Sequence, residues 1–168
     1  AEMALSHLPV HVLLVGLLVG TNAFFTALAI ANVRYTGRTV EAEREWLVET
    51  LGIDDPADIL GYARLKTGLG HLQSWIGLGF LLIVLYSGLF ADAVRSLETA
   101  VPQPIVAGIL FFLGLALLLQ LFSAPFDVVD TFVVEDLYGF NNQTVLLWLR
   151  DAFVGMLVTA LLPVVVTA

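Results

Sequence analysis

Four stretches of the chain contain no Asp, Glu, Lys or Arg: residues 3–33, 67–91, 99–126 and 152–168. Every charge lies between or outside these runs. A helix needs roughly 20 apolar residues to cross about 30 Å of hydrocarbon. The first three runs exceed that length and the fourth, with 17 residues, approaches it. The pattern predicts membrane-spanning helices near 8–31, 72–92, 104–126 and 148–167. Glu2 stands where a signal peptide would be basic, and the first run is too long for a signal-peptide core, so it is read as a span.

Two connections predict structure of their own. Asp55-Pro56, followed by Asp58, reads as N-cap, N1 and N3 of a helix through Ile59, Leu60, Tyr62 and Leu65 toward Gly68 and Gly70. Upstream, Thr39 is placed to cap a short amphipathic helix containing Val40, Trp46, Leu47 and Leu51. The connection from Asp127 to Asp151 mixes polar and apolar residues and is expected to continue the third helix past the membrane. No internal repeat, low-complexity tract or linker divides the sequence. The fold class is therefore all-α: a polytopic membrane protein of about four spans with short amphipathic cytoplasmic helices, with 1–168 a single transmembrane helical domain.

Composition agrees with the pattern. Apolar residues make up 59% and charged residues 13%, and the mean hydropathy is +0.93. So few charges cannot screen so much apolar side chain from water, which makes the lipid bilayer part of the solvent. The net charge of −8 and the scattered basic residues exclude nucleic acid as a partner, because phosphate binding needs clustered Lys and Arg. There is no cysteine, so disulfides and thiolate metal sites are excluded. Orientation follows from the basic residues near the spans. Arg34, Arg38, Arg44, Arg64, Lys66 and Arg150 flank the first and third connections, against Arg95 in the second. This bias places connections 32–71 and 127–147 in the cytoplasm and the N-terminus outside.

Candidate chemistry is sparse. His7 and His11 have the i, i+4 spacing of two metal ligands, but Leu8 replaces the glutamate of a His-Glu-x-x-His helix and Pro9 interrupts it. The pair reads as interfacial, and His71 reads as a headgroup contact. Asp127 and Asp130 share a helix side, followed by Glu135 and Asp136, and read as solvated carboxylates. Asn22 and Gln120 lie within spans and should face other helices. No phosphate loop and no Ser/His/Asp set can be assembled. Intramembrane ionisable residues are lacking, which leaves little support for a transporter or channel.

One segment is more specific. Pro125-Phe126, Thr131-Phe132-Val133-Val134-Glu135-Asp136 and Gly139-Phe140-Asn141-Asn142-Gln143-Thr144 together resemble a signature of the type I CAAX prenyl endopeptidases, which are membrane zinc metalloproteases. The family pattern is Pro-Phe or Pro-Trp, four residues, Thr-Phe-Val-Ile-Glu-Glu, two residues, Gly-Phe-Asn, two residues and Thr, followed shortly by an Asp. Asp151 matches that last residue. The spacing agrees without a gap through Thr144. Asp136 replaces the commoner second Glu, and Leu137 and Asn142 stand where basic residues are frequent. Tyr62-x-Arg64-x-Lys66, before the second span, resembles the family's aromatic and basic entry to that helix.

The resemblance implies the family's N-terminal membrane region, with Pro125, Thr131, Phe132, Glu135, Gly139, Phe140, Asn141, Thr144 and Asp151 as structural or substrate-chamber residues. It implies zinc for a complete member, held by a His-Glu-x-x-His helix and a distant Glu that follow this segment in the family and are absent from this sequence. No catalytic or metal-binding residue is assigned within the chain. Two functions are expected to compete: a membrane scaffold or substrate chamber for a zinc endopeptidase, and a non-enzymatic subunit that binds or stabilises other membrane proteins. Within the signature, Pro125 should loosen the third helix, Gly139 should end it and Asn141 should bond local backbone. Phe132, Val134 and Phe140 are expected to pack against protein.

The predicted orientation has a direct check. Cysteines introduced singly at Thr36, Ala100 and Asn142 are exposed to an impermeant thiol reagent on intact cells. Ala100→Cys should label and the other two should not; labelling at Thr36→Cys or Asn142→Cys reverses the orientation.

Overall fold

A computed structural model describes residues 8–167, and the side chains of 9–158. Glu2 and His7 lie outside the described residues, so the signal-peptide reading and the His7–His11 pair have no structural counterpart here. Among the described residues there is no strand. The helices are α1 (Leu8–Ala42), α2 (Arg44–Leu51), α3 (Ala57–Tyr86), α4 (Leu89–Ala100), α5 (Pro104–Val129) and α6 (Val145–Thr167). A π-helical segment, Asp130–Glu135, continues α5. The chain forms two compact units, Ala1–Leu78 and Gly79–Ala168, whose boundary falls within α3.

Apolar side chains point outward along the long helices. Leu13 is 72% exposed, Phe24 63% and Leu121 63%, while among the described residues only Pro56, Ala107 and Val134 are buried. Such a surface is stable only against hydrocarbon. Among the described residues three helical stretches are long and apolar enough to cross a membrane: Pro9–Ala42, Ala57–Tyr86 and Pro104–Glu135. The 23 residues of α6 give about 35 Å at 1.5 Å per residue, enough for a further crossing.

Helix boundaries differ from the sequence expectation in instructive ways. α1 runs to Ala42 rather than residue 31. Arg34, Arg38 and Glu41 end the apolar run, but a charged residue facing water is a good helix former and gives the backbone no reason to stop. Thr39 therefore lies inside α1, where its hydroxyl donates to the Tyr35 carbonyl at 3.1 Å instead of capping a new helix. α2 begins only at Arg44, and Gly52, with φ +66°, closes it.

The Asp55-Pro56 start is as expected. Asp55 Oδ1 accepts from the Ala57 amide at 3.0 Å, and Pro56 is fully buried. Arg44 forms an ion pair with Asp55 at 3.7 Å. The helix it begins does not end at Gly68 or Gly70 but runs unbroken to Tyr86, so two expected helices are one. Each glycine costs only about 1 kcal/mol in a helix interior. Breaking the helix near the apolar run would instead leave carbonyls and amides without partners.

α3 ends at Tyr86, short of the expected 92. Gly88 adopts φ +85°, a conformation that favours glycine, and Ser87 Oγ accepts from the Leu89 amide at 3.3 Å. Beyond this break lies α4, which the sequence alone did not separate because the charge-free run continues past the break to Ala91. Leu89, Phe90, Ala93, Val94 and Leu97 recur at i, i+1, i+4, i+5 and i+8, opposite Asp92, Arg95, Ser96 and Glu98, an amphipathic pattern. Phe90 meets Phe111 of α5 edge-on at 5.0 Å, and Phe80 stacks on Phe122 at 5.1 Å. α5 and the π segment together extend the third helix past residue 126, as expected. α6 starts at Val145, three residues before the predicted position.

Within the first unit, α1 and α3 run antiparallel and are joined by polar side chains. Ser74 Oγ donates to Asn22 Oδ1 at 2.6 Å, Trp75 Nε1 donates to Thr26 Oγ1 at 3.0 Å, and His71 Nδ1 lies 3.4 Å from the same hydroxyl. Thr26 Oγ1 in turn donates to the Asn22 carbonyl at 2.8 Å. Asn22 thus faces another helix, as its place in a span required. His71 faces α1. The Asn22 Nδ2 group is buried and has no acceptor among the described residues. Gln120 is half-buried on α5.

Candidate functional site

The signature residues form the joint between α5 and α6, within the second unit. Pro125 sits inside α5, where it has no N–H for the Leu121 carbonyl. Five residues later the backbone changes from α to π over Asp130–Glu135. A π turn holds one extra residue and rotates everything after it by about 100° relative to a regular α-helix. Val134, in that segment, is 5% exposed, and Thr131 and Phe132 are half-buried, whereas Val133 remains exposed.

The helix then closes through a Schellman motif. The Phe140 amide donates to the Glu135 carbonyl at 2.8 Å and the Gly139 amide to the Asp136 carbonyl at 3.1 Å. This geometry needs a left-handed residue before Phe140, and Gly139 has φ +72°. The Asn141 amide also reaches the Glu135 carbonyl, at 3.2 Å. Asn141 turns the chain: its Oδ1 accepts from the Gln143 amide at 2.8 Å, an Asx turn. Its Nδ2 lies 3.5 Å from Asp136 Oδ1, at the limit of hydrogen bonding. Asn142 Nδ2 donates to the Phe140 carbonyl at 3.3 Å.

Thr144 opens the next helix. Its Oγ1 accepts from the Leu147 amide at 3.3 Å and its carbonyl from the Trp148 amide at 3.0 Å, the pattern of an N-cap. Asp151 lies exposed two turns into α6. The spacing Glu-x3-Gly-Phe-Asn-x2-Thr therefore has a physical meaning. A carbonyl accepts two amides, a glycine reverses the helix, an asparagine makes the turn and a threonine caps the restart.

The structure brings Glu135, Asp136, Gly139, Phe140, Asn141 and Thr144 into one local network. Pro125 and Asp151 lie on the flanking helices outside it. Val134 packs as expected and Phe132 partly so, but Phe140 is 58% exposed. Glu135 acts in the turn through its backbone carbonyl. Nothing in this arrangement pairs a nucleophile with a base. Among the described residues, moreover, no three His, Cys, Asp or Glu side chains gather to hold a metal ion. The described residues therefore do not fit a zinc site.

Residues 58–168, which contain the whole signature, match the family described as CAAX prenyl protease N-terminal, five membrane helices. The chain belongs to this family. Two relatives agree. The chain is similar to the probable CAAX prenyl protease 1 of Schizosaccharomyces pombe, 32% identical over 105 residues, covering 55% of this chain and 22% of that protein. It is also similar to the CAAX prenyl protease 1 homolog of Oryza sativa subsp. japonica, 41% identical over 59 residues, covering 34% of this chain and 14% of that protein. The aligned parts are thus about a fifth or less of these relatives' length. No solved structure gives a significant match. The family description counts five membrane helices; the matched residues here hold α3, α5 and α6, each long enough to span, and the shorter amphipathic α4.

The sequence reading missed the polar residues that answer Asn22. Thr26 follows it by four, and Ser74 and Trp75 follow His71 by three and four, so helical spacing was the available signal.

The joint predicts a graded response to substitution. Gly139→Ala places a Cβ on a left-handed residue and should cost about 1–2 kcal/mol, and Thr144→Ala should cost about 0.5–2 kcal/mol through the lost cap. Thermal melts in detergent should show both below Leu117→Ala, a change at an exposed position of α5. Melts in which the three coincide would mean that the caps do not stabilise the joint.

Proposed function

We propose that this membrane domain is the scaffold and substrate chamber of a CAAX prenyl protease-type zinc metalloendopeptidase, whose His-Glu-x-x-His segment lies outside residues 1–168. The observation that carries the reading is the joint at residues 125–144. Its family residues are spent on holding two membrane helices at a defined turn, not on chemistry. A chamber wall needs such joints, because a reacting peptide bond must be positioned to within about an ångström for efficient catalysis. In this reading Pro125, Thr131, Phe132, Glu135, Gly139, Phe140, Asn141, Thr144 and Asp151 position the wall, and zinc is held by the catalytic segment. The exposed Phe140 ring is the contact offered to that segment. The N-terminus is external, and connections 32–71 and 127–147 face the cytoplasm, which puts the joint on the cytoplasmic side.

The test is affinity purification of the tagged chain from its native membranes, followed by an assay on a prenylated peptide. Cleavage that a zinc chelator abolishes is expected, and Asn141→Ala should lower it several-fold while the protein remains in the membrane. A native reading frame that stops after Ala168, together with a preparation lacking any chelator-sensitive cleavage, would overturn the reading in favour of a non-enzymatic membrane subunit.

A further inference from the structure

The first unit contains a cavity of about 1050 Å³ between α1 and α3, remote in sequence from the signature. One end is lined by Thr26, Ile30 and Val33 of the apolar run of α1, with His71 of α3. The other is lined by three arginines, Arg34 and Arg38 from α1 and Arg64 from α3, with Glu41 the acidic lining residue. Among the described residues no carboxylate lies within ion-pair distance of these three arginines. Elsewhere in the same unit Arg44 does have such a partner, in Asp55.

The placement of this charge is specific. Arg34 is the first ionised side chain after the charge-free run 3–33, and Arg64 lies just before the charge-free run that starts at residue 67. The antiparallel pairing of α1 with α3 therefore brings both apolar-to-basic transitions to one level, and the cavity crosses that level. Gly37 permits the close approach there: a Cβ at this position would lie 3.3 Å from Leu60 Cδ2. A ligand suited to such a cavity has a compact anionic group at the level of the arginines and an apolar portion reaching toward Thr26. Arginine forks match phosphate oxygens geometrically, and basic pockets between membrane helices are suited to anionic lipid headgroups.

We propose that the α1–α3 cavity binds an anionic phospholipid, its phosphate held by Arg34, Arg38 and Arg64 and the upper part of an acyl chain lying against Ile30 and Val33. Free phosphate shares the headgroup chemistry but lacks the apolar portion, and the cavity favours the lipid because most of its lining surface is apolar. This binding does not rest on the proteolytic reading, since none of the signature residues from Pro125 to Asp151 lines the cavity.

The test uses the whole purified chain in mixed micelles of a neutral maltoside detergent with dioleoylphosphatidylglycerol or dioleoylphosphatidylcholine, and a third sample with inorganic phosphate. Native mass spectrometry counts retained lipid, and thermal melts report the stabilisation. Phosphatidylglycerol should be retained and raise the melting temperature, with phosphatidylcholine and phosphate having little effect. Each of Arg34→Gln, Arg38→Gln and Arg64→Gln should weaken phosphatidylglycerol binding about fivefold. Arg95→Gln, on the exposed polar side of α4, should leave it unchanged. Val33→Trp, which keeps every arginine but fills the apolar end, should also weaken it, so the proposal does not depend on the charge variants folding. Equal stabilisation by inorganic phosphate would overturn the lipid assignment, and equal losses in Arg95→Gln and the cavity variants would reduce the effect to general charge attraction.

Discussion

Hydrocarbon offers no hydrogen bonds, and this single condition governs where the backbone of this protein is allowed to change direction. Within an apolar run every amide must find a carbonyl four or five residues away. The helix can stop only where side chains, turns or water replace that partner. This is why Gly68 and Gly70 do not end α3. It is also why the observed reversals are closed by their own local bonds: Gly52 after α2, Ser87 and Gly88 before α4, and Gly139 to Thr144 before α6. The spans are constrained by the solvent, and the sequence information of the fold is concentrated in the joints.

The same condition explains what could be read from the sequence. Charge-free runs revealed the long helices because ionised side chains are too costly in lipid, and Asp55-Pro56 and Gly139 revealed their roles because caps are local chemistry. Helix ends outside the membrane were less legible. α1 continues eleven residues past its expected end because water neither requires nor forbids a helix of Arg, Thr and Glu. The α3–α4 break was hidden for the opposite reason: Ser87 and Gly88 lie in a run whose hydropathy alone suggests one span, and only the amphipathic spacing after Gly88 distinguishes α4. Phe140 was expected inside because it is apolar. It lies instead in the turn that follows the left-handed Gly139, more than half exposed.

The candidate site was legible in its membership and opaque in its mechanism. The signature from Pro125 to Thr144 could be set against the family pattern residue by residue, yet the pattern does not say which atoms matter. In three dimensions the Glu135 carbonyl accepts two amides at the turn, and Asn141 and Thr144 each accept a backbone amide with a side-chain oxygen. Long-range pairings were not legible at all. The bond from Ser74 to Asn22 and the convergence of Arg34 and Arg38 with Arg64 depend on how α1 lies against α3. No feature of either helix alone fixes that register.

Membership of the CAAX prenyl protease N-terminal family and the geometry of the joint meet in one claim: the signature is a self-capped turn between two membrane helices. Backbone hydrogen exchange of the protein in lipid nanodiscs tests it directly, because the joint should lie in water where unbonded amides exchange freely. The amides of Gly139, Phe140, Asn141, Gln143 and Leu147 are predicted to exchange at least about tenfold more slowly than that of Asn142, which has no acceptor among the described residues. Exchange of all six at the same rapid rate would contradict the claim and leave residues 135–147 a simple tether between α5 and α6.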